Sequence, residues 1–286
     1  MNPTADLILC ADIHLREDTP TCRTDNFIGT IMAKLWWLKT LQKGHGCPVL
    51  HAGDLFHHWK PSPYLLSLTM ATIPDRFFTI YGQHDLPQHN WQNREKSGIH
   101  TLEMAHKLTV LPGTHWEQEP EDLSFPIKGR KILVWHVMNY KGKEPWPGAN
   151  VPTALNLLKK YPEYDLILTG DNHRPFVESF EGRLLVNPGS FTRQSADQIN
   201  HKPRVYLYYA DSNVVLPVFL PIDNNVVSRD HLEKNEERDE RISAYIERLK
   251  TDWEADISFE ANLEEFFRNN EVGPFVKELI YKAIEG

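Results

Sequence analysis

The sequence predicts an α/β fold with a small helical appendage at its carboxy-terminal end. Short apolar runs without helical spacing recur along the first two thirds of the chain, as in strands that are buried on both faces. Segments with apolar residues at helical spacing lie between them. This alternation indicates βαβ units and a largely parallel sheet. Beyond residue 228 the chain becomes strongly charged but keeps helical spacing of its apolar residues.

The predicted strands fall into two groups along the chain. The first group alternates with helix-like segments and comprises residues 7–9, 48–50, 77–80, 132–135 and 166–168. A later group has no intervening helices, which predicts a second sheet, and comprises residues 183–186, 204–208 and 214–216. Helices are predicted at 26–43, 63–73 and 151–161. The first of these has a continuous apolar stripe, formed by Phe27, Ile31, Leu35, Leu38 and Leu41.

The composition divides the chain into two parts, which we predict to be a catalytic domain at 1–222 and an acidic helical tail at 228–286. Residues 228–286 hold 9 basic and 16 acidic residues, a net charge of −7 out of −8 for the chain. One tail helix is predicted from apolar residues at helical spacing, namely Ile242, Tyr245, Ile246, Leu249 and Trp253. Two shorter helices are predicted around Leu263, Phe266 and Phe267 and around Phe275, Leu279 and Ile280.

Several classes of protein are excluded or disfavoured by composition. No apolar run is long enough to span a bilayer, and no signal-type segment opens the chain, so we expect a cytoplasmic protein without a membrane partner. The three cysteines have no metal-knuckle spacing. No phosphate-binding P-loop occurs, so any use of ATP must come from a partner. The nearly neutral body lacks the basic surface typical of proteins that grip nucleic acid unaided.

Aspartate or histidine side chains follow five of the predicted strands. They stand where each strand ends, at Asp12 and His14, at Asp54 and His57, at His84, at His136, and at Asp171 and His173. Ligands gather at the carboxyl ends of strands in open α/β sheets. A single histidine in such a place is usually a surface or core residue, but five strands together favour a metal site. Other histidines have no such position and are expected in solvated loops; these are His45, His51, His58 and His89.

This donor set is typical of paired divalent ions. Carboxylates and imidazoles suit Mn²⁺, Fe²⁺, Zn²⁺ or Mg²⁺, and the absence of paired cysteines excludes a thiolate zinc site. The ordered motifs resemble those of the calcineurin-like metallophosphoesterases over about residues 5–220; they are Asp12-x-His14, Gly53-Asp54, Gly82-Gln83-His84-Asp85, His136 and Gly170-Asp171-Asn172-His173. Within that superfamily, residues 53–63 resemble the nuclease subunit of SbcCD-type repair complexes. The resemblance implies a four-layer α/β/β/α sandwich, two Mn²⁺ ions, a homodimer and an SMC-like coiled-coil ATPase partner.

The resemblance also implies a role for each motif residue. The first ion is expected on Asp12, His14, Asp54 and His173, and the second on Asp54, Gln83, His136 and Asp171. His84 is expected to face the substrate at the leaving oxygen, and His57 to orient His84 or to contact the phosphate. Two residues depart from the family pattern, since Gln83 replaces Asn and Asp171 replaces His. Both fall on the second ion and favour Mn²⁺ or Mg²⁺ over Zn²⁺, or else leave a one-metal or inactive centre.

The function expected from these motifs is that of a Mn²⁺-dependent DNA phosphodiesterase. It would act as the exonuclease and endonuclease subunit in recombination or repair, with the ATPase as partner and with a phage origin as one possibility. Two alternatives remain at this stage. One is a stand-alone phosphatase or phosphodiesterase acting on small phosphoesters. The other is a catalytically weak binding scaffold, which the two substitutions at the second ion would permit.

Overall fold

The computed structural model describes residues 4–116, 118–120, 125–230, 241–243 and 259–285. The chain forms two compact units, Met1–Ser228 and Arg229–Gly286. Of the helix predicted from Ile242 to Trp253, only Ile242 is described; Tyr245, Ile246, Leu249 and Trp253 lie outside the described residues. No helix in the described ranges combines the length and apolar character that a membrane span requires.

The first unit contains eleven described strands and four described α-helices. The strands are β1 (Leu7–Cys10), β2 (Val49–His51), β3 (Phe77–Thr79), β4 (Thr109–Val110), β5 (Phe125–Ile127), β6 (Arg130–Trp135), β7 (Leu166–Thr169), β8 (Phe176–Phe180), β9 (Arg183–Asn187), β10 (Arg204–Tyr209) and β11 (Val214–Phe219). The helices are α1 (Phe27–His45), α2 (Pro63–Thr72), α3 (Gly98–Met104) and α4 (Ala154–Lys160).

Two sheets form the centre of this unit. The six-stranded sheet has the order β11-β10-β1-β2-β3-β4, in which β1 to β4 are parallel and β10 and β11 are antiparallel. The five-stranded sheet has the order β5-β6-β7-β9-β8, with β6, β7 and β9 parallel. The carboxyl ends of the parallel strands therefore meet along one edge of each sheet, where strand-terminal side chains can converge.

Alternation along β1 shows the four layers. Leu7 and Leu9 pack between the two sheets against Ile132 and Leu166. Ile8 and Cys10 face the opposite way, into a second core that also contains the apolar stripe of α1. A third core lies between the far face of the five-stranded sheet and α4. The expected α/β/β/α sandwich is therefore confirmed.

The helices begin where the sequence provides caps. The Asn26 side chain accepts a hydrogen bond from the Gly29 N–H before α1, and Ser62 and Thr153 act in the same way before α2 and α4. Helix α1 ends at Gly46, whose φ of 64° suits a residue without a side chain. The apolar stripe predicted for α1 is confirmed, with Phe27, Ile31, Leu35 and Leu38 fully buried.

Three expectations from the sequence are wrong. His45 is not in a solvated loop, because it is the last residue of α1 and its Nδ1 accepts the Ala5 N–H at 3.1 Å. Strands β10 and β11 do not belong to the second sheet. Strand β10 pairs antiparallel with β1 in the first sheet, although the two strands lie near opposite ends of the unit's sequence, and β11 pairs with β10. His51 is not in a solvated loop. It lies buried in β2, and its Nδ1 is 2.8 Å from the Thr79 hydroxyl. Burial lowers the pKa of His51 to about 3, so this histidine is a neutral core residue.

The second unit contains two described helices of more than one turn, α5 (Phe259–Asn269) and α6 (Pro274–Glu285). They coincide with the two shorter tail helices that the sequence predicts. Leu263 of α5 and Ile280 of α6 are buried in one small apolar core. Phe266, Phe267 and Val276 are partly buried and pack against this core. Part of the apolar stripe of each helix thus packs within the unit, whereas Phe275 of α6 is exposed.

Candidate metal centre

The structure brings the strand-terminal residues together from both sheets. Asp12 and His14 follow β1, Asp54 follows β2, and His136 follows β6. The Nε2 atoms of His14 and His136 each lie 3.6 Å from Asp54 Oδ2. Asp54 therefore stands between imidazoles that the two sheets supply separately, as expected for a shared ligand.

One group of donors lies on the His14 side of Asp54. Asp12, His14 and His173 place their ligand atoms within 4.8 Å of one another. The Nε2 atoms of His14 and His173 are only 3.1 Å apart. His173 is exposed, whereas Asp12 and His14 are buried, so the group opens to solvent on the His173 side.

A second group lies on the His136 side. Asp12, Asp54 and His136 also place their ligand atoms within 4.8 Å of one another. His136 Nδ1 lies 2.6 Å from the Ala52 carbonyl oxygen and must donate to it, because that oxygen can only accept. In neutral His136 this leaves Nε2 with a lone pair directed into the group, the arrangement usual for a metal-ligating histidine.

Gln83 reaches this second group despite its extra methylene. Its Oε1 lies 2.6 Å from His136 Nε2, and two lone pairs at that distance require a proton or a cation between them. Its Nε2 donates to Asp171 Oδ1 at 2.7 Å. The Asp171 backbone N–H in turn donates to Asp12 Oδ1 at 3.0 Å. Asp171 thus lies beside the second group, bonded to Gln83, and is in none of the described donor groups that fit a metal.

The charges of these groups are not compensated by protein atoms alone. Asp12 Oδ2 and Asp54 Oδ2 are buried without a hydrogen-bond partner in the described structure. Burial raises the pKa of Asp12 to about 7, and burial together with neighbouring carboxylates raises the pKa of Asp54 well above its usual range. Burial and the His173 imidazole lower the pKa of His14 well below its usual range. A divalent cation would supply the missing partner, so these residues fit one.

The backbone at the candidate ligands is strained. Asp12, His14, Asp54 and Asp171 all have positive φ, between 49° and 76°. Such a conformation costs about 1–3 kcal/mol for a residue with a side chain and concentrates at functional sites. Gly82 permits the close packing, because a Cβ there would lie 2.1 Å from Asp54 Oδ1.

The two histidines expected to act on the substrate lie at the edge of this cluster. The rings of His57 and His84 are stacked with centroids 5.4 Å apart, and His84 packs edge-on against His14 at 4.9 Å. His84 Nδ1–H donates to the His57 carbonyl at 2.9 Å, and the His84 backbone N–H donates to Asp54 Oδ1. Burial lowers the pKa of His57 to about 4 and also lowers the pKa of His84.

Asp85 is a positioning residue for which the sequence analysis predicted no role. Its carboxylate accepts backbone N–H groups from Leu55 at 3.2 Å, Phe56 at 3.0 Å and Gly82 at 3.0 Å. It therefore ties the loop after β2 to the loop after β3. Burial raises the pKa of Asp85 to about 7, against the opposing effect of these hydrogen bonds. Its position in the Gly82–Asp85 motif was the one feature of the sequence that pointed to a role. The hydrogen bonds that explain the role come from Leu55 and Phe56, in the loop after β2.

A family model places this geometry among known proteins. Residues 6–208 match the calcineurin-like phosphoesterase superfamily domain. The chain belongs to the calcineurin-like phosphoesterase superfamily. It is a metal-dependent phosphoesterase, and the aspartate and histidine groups described above have the spacing needed to bind metal ions.

Individual relatives are more distant. The DNA double-strand break repair protein Mre11 of Haloferax volcanii is 29% identical over 179 residues, which cover 55% of this chain and 38% of that protein. The chain therefore spans less than two fifths of the length of that relative. Among solved structures, an archaeal phosphodiesterase matches 75% of this chain and 99% of its own at 12% identity and a TM-score of 0.45. Vps29 of Entamoeba histolytica matches 75% of this chain and 99% of its own at 14% identity and a TM-score of 0.37.

Proposed function

We propose that this chain is a two-metal DNA phosphodiesterase that works with Mn²⁺. The observation that supports this best is the pair of donor groups on either side of Asp54, one with His14 and His173 and the other with His136. Two ions that share a carboxylate are the usual means of catalysing phosphodiester displacement. The similarity to Mre11 supports DNA as the substrate class.

The proposed ligand sets follow the two groups. Asp12, His14, Asp54 and His173 would hold the first ion, and Asp54, Gln83, His136 and Asp171 the second. Two bound ions would activate the attacking water and neutralise charge on the phosphoryl oxygens. Oxygen-rich donors around the second ion favour Mn²⁺ or Mg²⁺ over Zn²⁺.

His84 would serve the leaving oxygen. Its Nδ1–H bond to the His57 carbonyl fixes the ring and leaves Nε2 as the free nitrogen. Burial lowers the pKa of His84, which favours the unprotonated form of that nitrogen. It can donate a proton only after the charge of the bound phosphate raises its pKa, which confines the acid role to the substrate complex. His57, stacked on His84, would hold its orientation.

The proposed partner is a coiled-coil ATPase, and the second unit is the proposed docking element. Nearly all of the net negative charge lies in residues 228–286, so the rest of the chain is close to neutral. A near-neutral domain attracts DNA weakly, so the proposed partner would supply the electrostatic affinity for DNA. The same near-neutral surface favours the second candidate, a stand-alone phosphodiesterase acting on small phosphoesters.

DNA cleavage with Mn²⁺ tests the substrate. Purified chain should degrade linear DNA in Mn²⁺ more efficiently than it hydrolyses bis(p-nitrophenyl) phosphate or mononucleotides, and Asp54→Ala should abolish all three activities. Hydrolysis of the small substrates without cleavage of DNA, with or without the ATPase, would reject the DNA assignment in favour of the second candidate.

A further inference from the structure

A cavity of about 440 Å³ opens beside the metal centre, next to Asp171 and His173. The loop after β7 forms one wall, and the short helix Ala196–Asn200 forms another. The volume lies at the lower end of small-molecule sites, about 300–1000 Å³. The residues that complete its lining are Met138, Asn172, Arg174, Ser195, Asp197, Gln198 and His201.

Two amides give this cavity a fixed shape. Asn172 Nδ2 donates to the Asn139 carbonyl at 2.7 Å, and Asn172 Oδ1 accepts the backbone N–H of Arg174 at 3.0 Å. Gln198 Oε1 accepts the backbone N–H of Gln194 at 2.6 Å. These hydrogen bonds hold the Asn172 and Gln198 side chains in place in the walls of the cavity.

Two charged groups in the same walls are free. Both are exposed, and neither the Arg174 guanidinium nor the Asp197 carboxylate makes a hydrogen bond or ion pair within the described ranges, although Asp197 acts electrostatically on His173. Other arginines near the motifs are engaged, since Arg16 pairs with Asp18 and Arg94 lies over the Trp91 ring at 4.6 Å. Arg174 therefore keeps its full set of donors, one residue after His173.

The ligand of this cavity must match both charges. A second phosphate would meet the carboxylate of Asp197, which the proposed metal ligand sets do not use, and this disfavours it. A nucleoside is neutral and offers acceptors for arginine and amino or hydroxyl donors for a carboxylate. We propose that the cavity is a nucleoside subsite, which receives the base and sugar next to the phosphate at the metal centre. This inference deepens the proposed function and rests on it for the position of the phosphate.

The size of the subsite has a consequence for the form of the substrate. A cavity of about 440 Å³ has the volume of a site for a single small molecule, and a base that stays stacked and paired in a duplex cannot enter it. A nucleotide must therefore enter unpaired, from a single strand, a frayed end or a flipped position. Arg174 is then a specificity residue that contacts the organic part of the substrate.

Calorimetric binding to the full chain in Mn²⁺ tests the subsite without using catalysis. The probes are the four deoxynucleoside monophosphates, deoxyribose 5-phosphate and inorganic phosphate. The wild type should bind at least one nucleotide roughly tenfold more tightly than deoxyribose 5-phosphate. Arg174→Ala should remove this preference and leave phosphate affinity unchanged. Lys202→Ala is the matched control, because Lys202 is exposed beside His201 and does not line the cavity.

The outcomes separate the subsite from the DNA assignment. Equal affinity of the wild type for nucleotides, sugar phosphate and phosphate overturns the subsite, even if DNA is cleaved. Loss of phosphate affinity in Arg174→Ala also overturns it, because Arg174 then acts on the phosphate. A nucleotide preference that depends on Arg174, in a protein that does not cleave DNA, supports the subsite and rejects the DNA assignment alone.

Discussion

The two halves of the metal centre differ in how their polar atoms are paired. On one side, the Nε2 atoms of His14 and His173 face each other, and Asp12 Oδ2 has no hydrogen-bond partner in the described structure. On the other side, the Gln83 amide joins His136 Nε2 at 2.6 Å to Asp171 Oδ1 at 2.7 Å. The first half pairs one imidazole nitrogen with another and leaves a carboxylate oxygen unpaired, whereas the second half bonds one amide to both an imidazole and a carboxylate.

This difference predicts unequal metal binding. An ion that enters the first half gains unpaired donors and relieves uncompensated burial. An ion that binds all of the proposed second set must replace the 2.6 Å contact between Gln83 Oε1 and His136 Nε2, which opposes binding. We therefore expect a tight first ion and a weaker second ion. Gln83 and Asp171, the two positions at which the motifs depart from the family pattern, hydrogen-bond to each other beside this contact.

The largest expected effect is that of removing the residue common to both halves. Asp54→Ala should abolish binding of both ions and lower turnover by about 10³-fold or more, because Lewis-acid catalysis contributes several kcal/mol. Metal content and hydrolysis of bis(p-nitrophenyl) phosphate measure this. Asp211→Asn, at an exposed surface position, is the control. Retention of one tightly bound ion in Asp54→Ala would show that Asp54 does not bridge.

Removal of the His84 side chain should lower the rate of hydrolysis without changing metal binding. His84→Ala should lower turnover by roughly 10²–10⁴-fold, the range for a lost acid–base group, with metal stoichiometry unchanged. Native mass spectrometry and steady-state kinetics together measure the two quantities. If an ion is lost with the activity, His84 is a ligand, consistent with its ring nitrogen lying near those of His14 and His57.

Asp85 links the halves through the backbone, and its removal should act on stability. Asp85→Ala leaves buried N–H groups of Leu55, Phe56 and Gly82 without their acceptor. We expect the free energy of unfolding to fall by about 2–5 kcal/mol. Chemical denaturation followed by circular dichroism measures it, and Asp85→Asn, which keeps one acceptor oxygen, should lose less. A loss below about 1 kcal/mol for Asp85→Ala contradicts the positioning role.

The sequence predicted the positions of these halves but not their internal pairing. Asp12, Asp54 and His136 stand at strand ends, so the local pattern was sufficient to place them at a common edge. The bond from Gln83 to Asp171 joins residues 88 positions apart, and no local pattern encodes it. The same limit applies to β10, which pairs with β1 from the far end of the domain. Long-range pairing is decided by packing and is not visible in periodicity.

Substitution of Gln83 should have a smaller effect, which is confined to the second ion. Gln83→Ala should weaken the second ion by roughly 10–100-fold and leave the first unchanged, because the substitution removes one ligand and the group that holds Asp171. Gln83→Asn, which restores the family residue, should keep the second ion. Mn²⁺ titration by calorimetry resolves the two sites. An equal weakening of both ions in Gln83→Ala contradicts the assignment of Gln83 to one half.

The smallest expected effect on catalysis comes from the second unit. Deletion of residues 229–286, which form a separate compact unit, should leave metal binding and hydrolysis of small substrates unchanged. Co-purification with the proposed ATPase should be lost, because the helical tail is the proposed docking element. Wild-type affinity of the truncated chain for the ATPase contradicts that docking role.

The central claim is that two unequal metal sites share Asp54, and a Mn²⁺ titration of the metal-free wild-type chain tests it most directly. Native mass spectrometry at increasing Mn²⁺ should show one ion bound first and a second ion at higher concentration. Asp171→Ala should remove or weaken only the second ion, and Asp12→Ala should weaken mainly the first. Saturation of the wild type at a single ion, or two ions bound with equal affinity, would contradict this account.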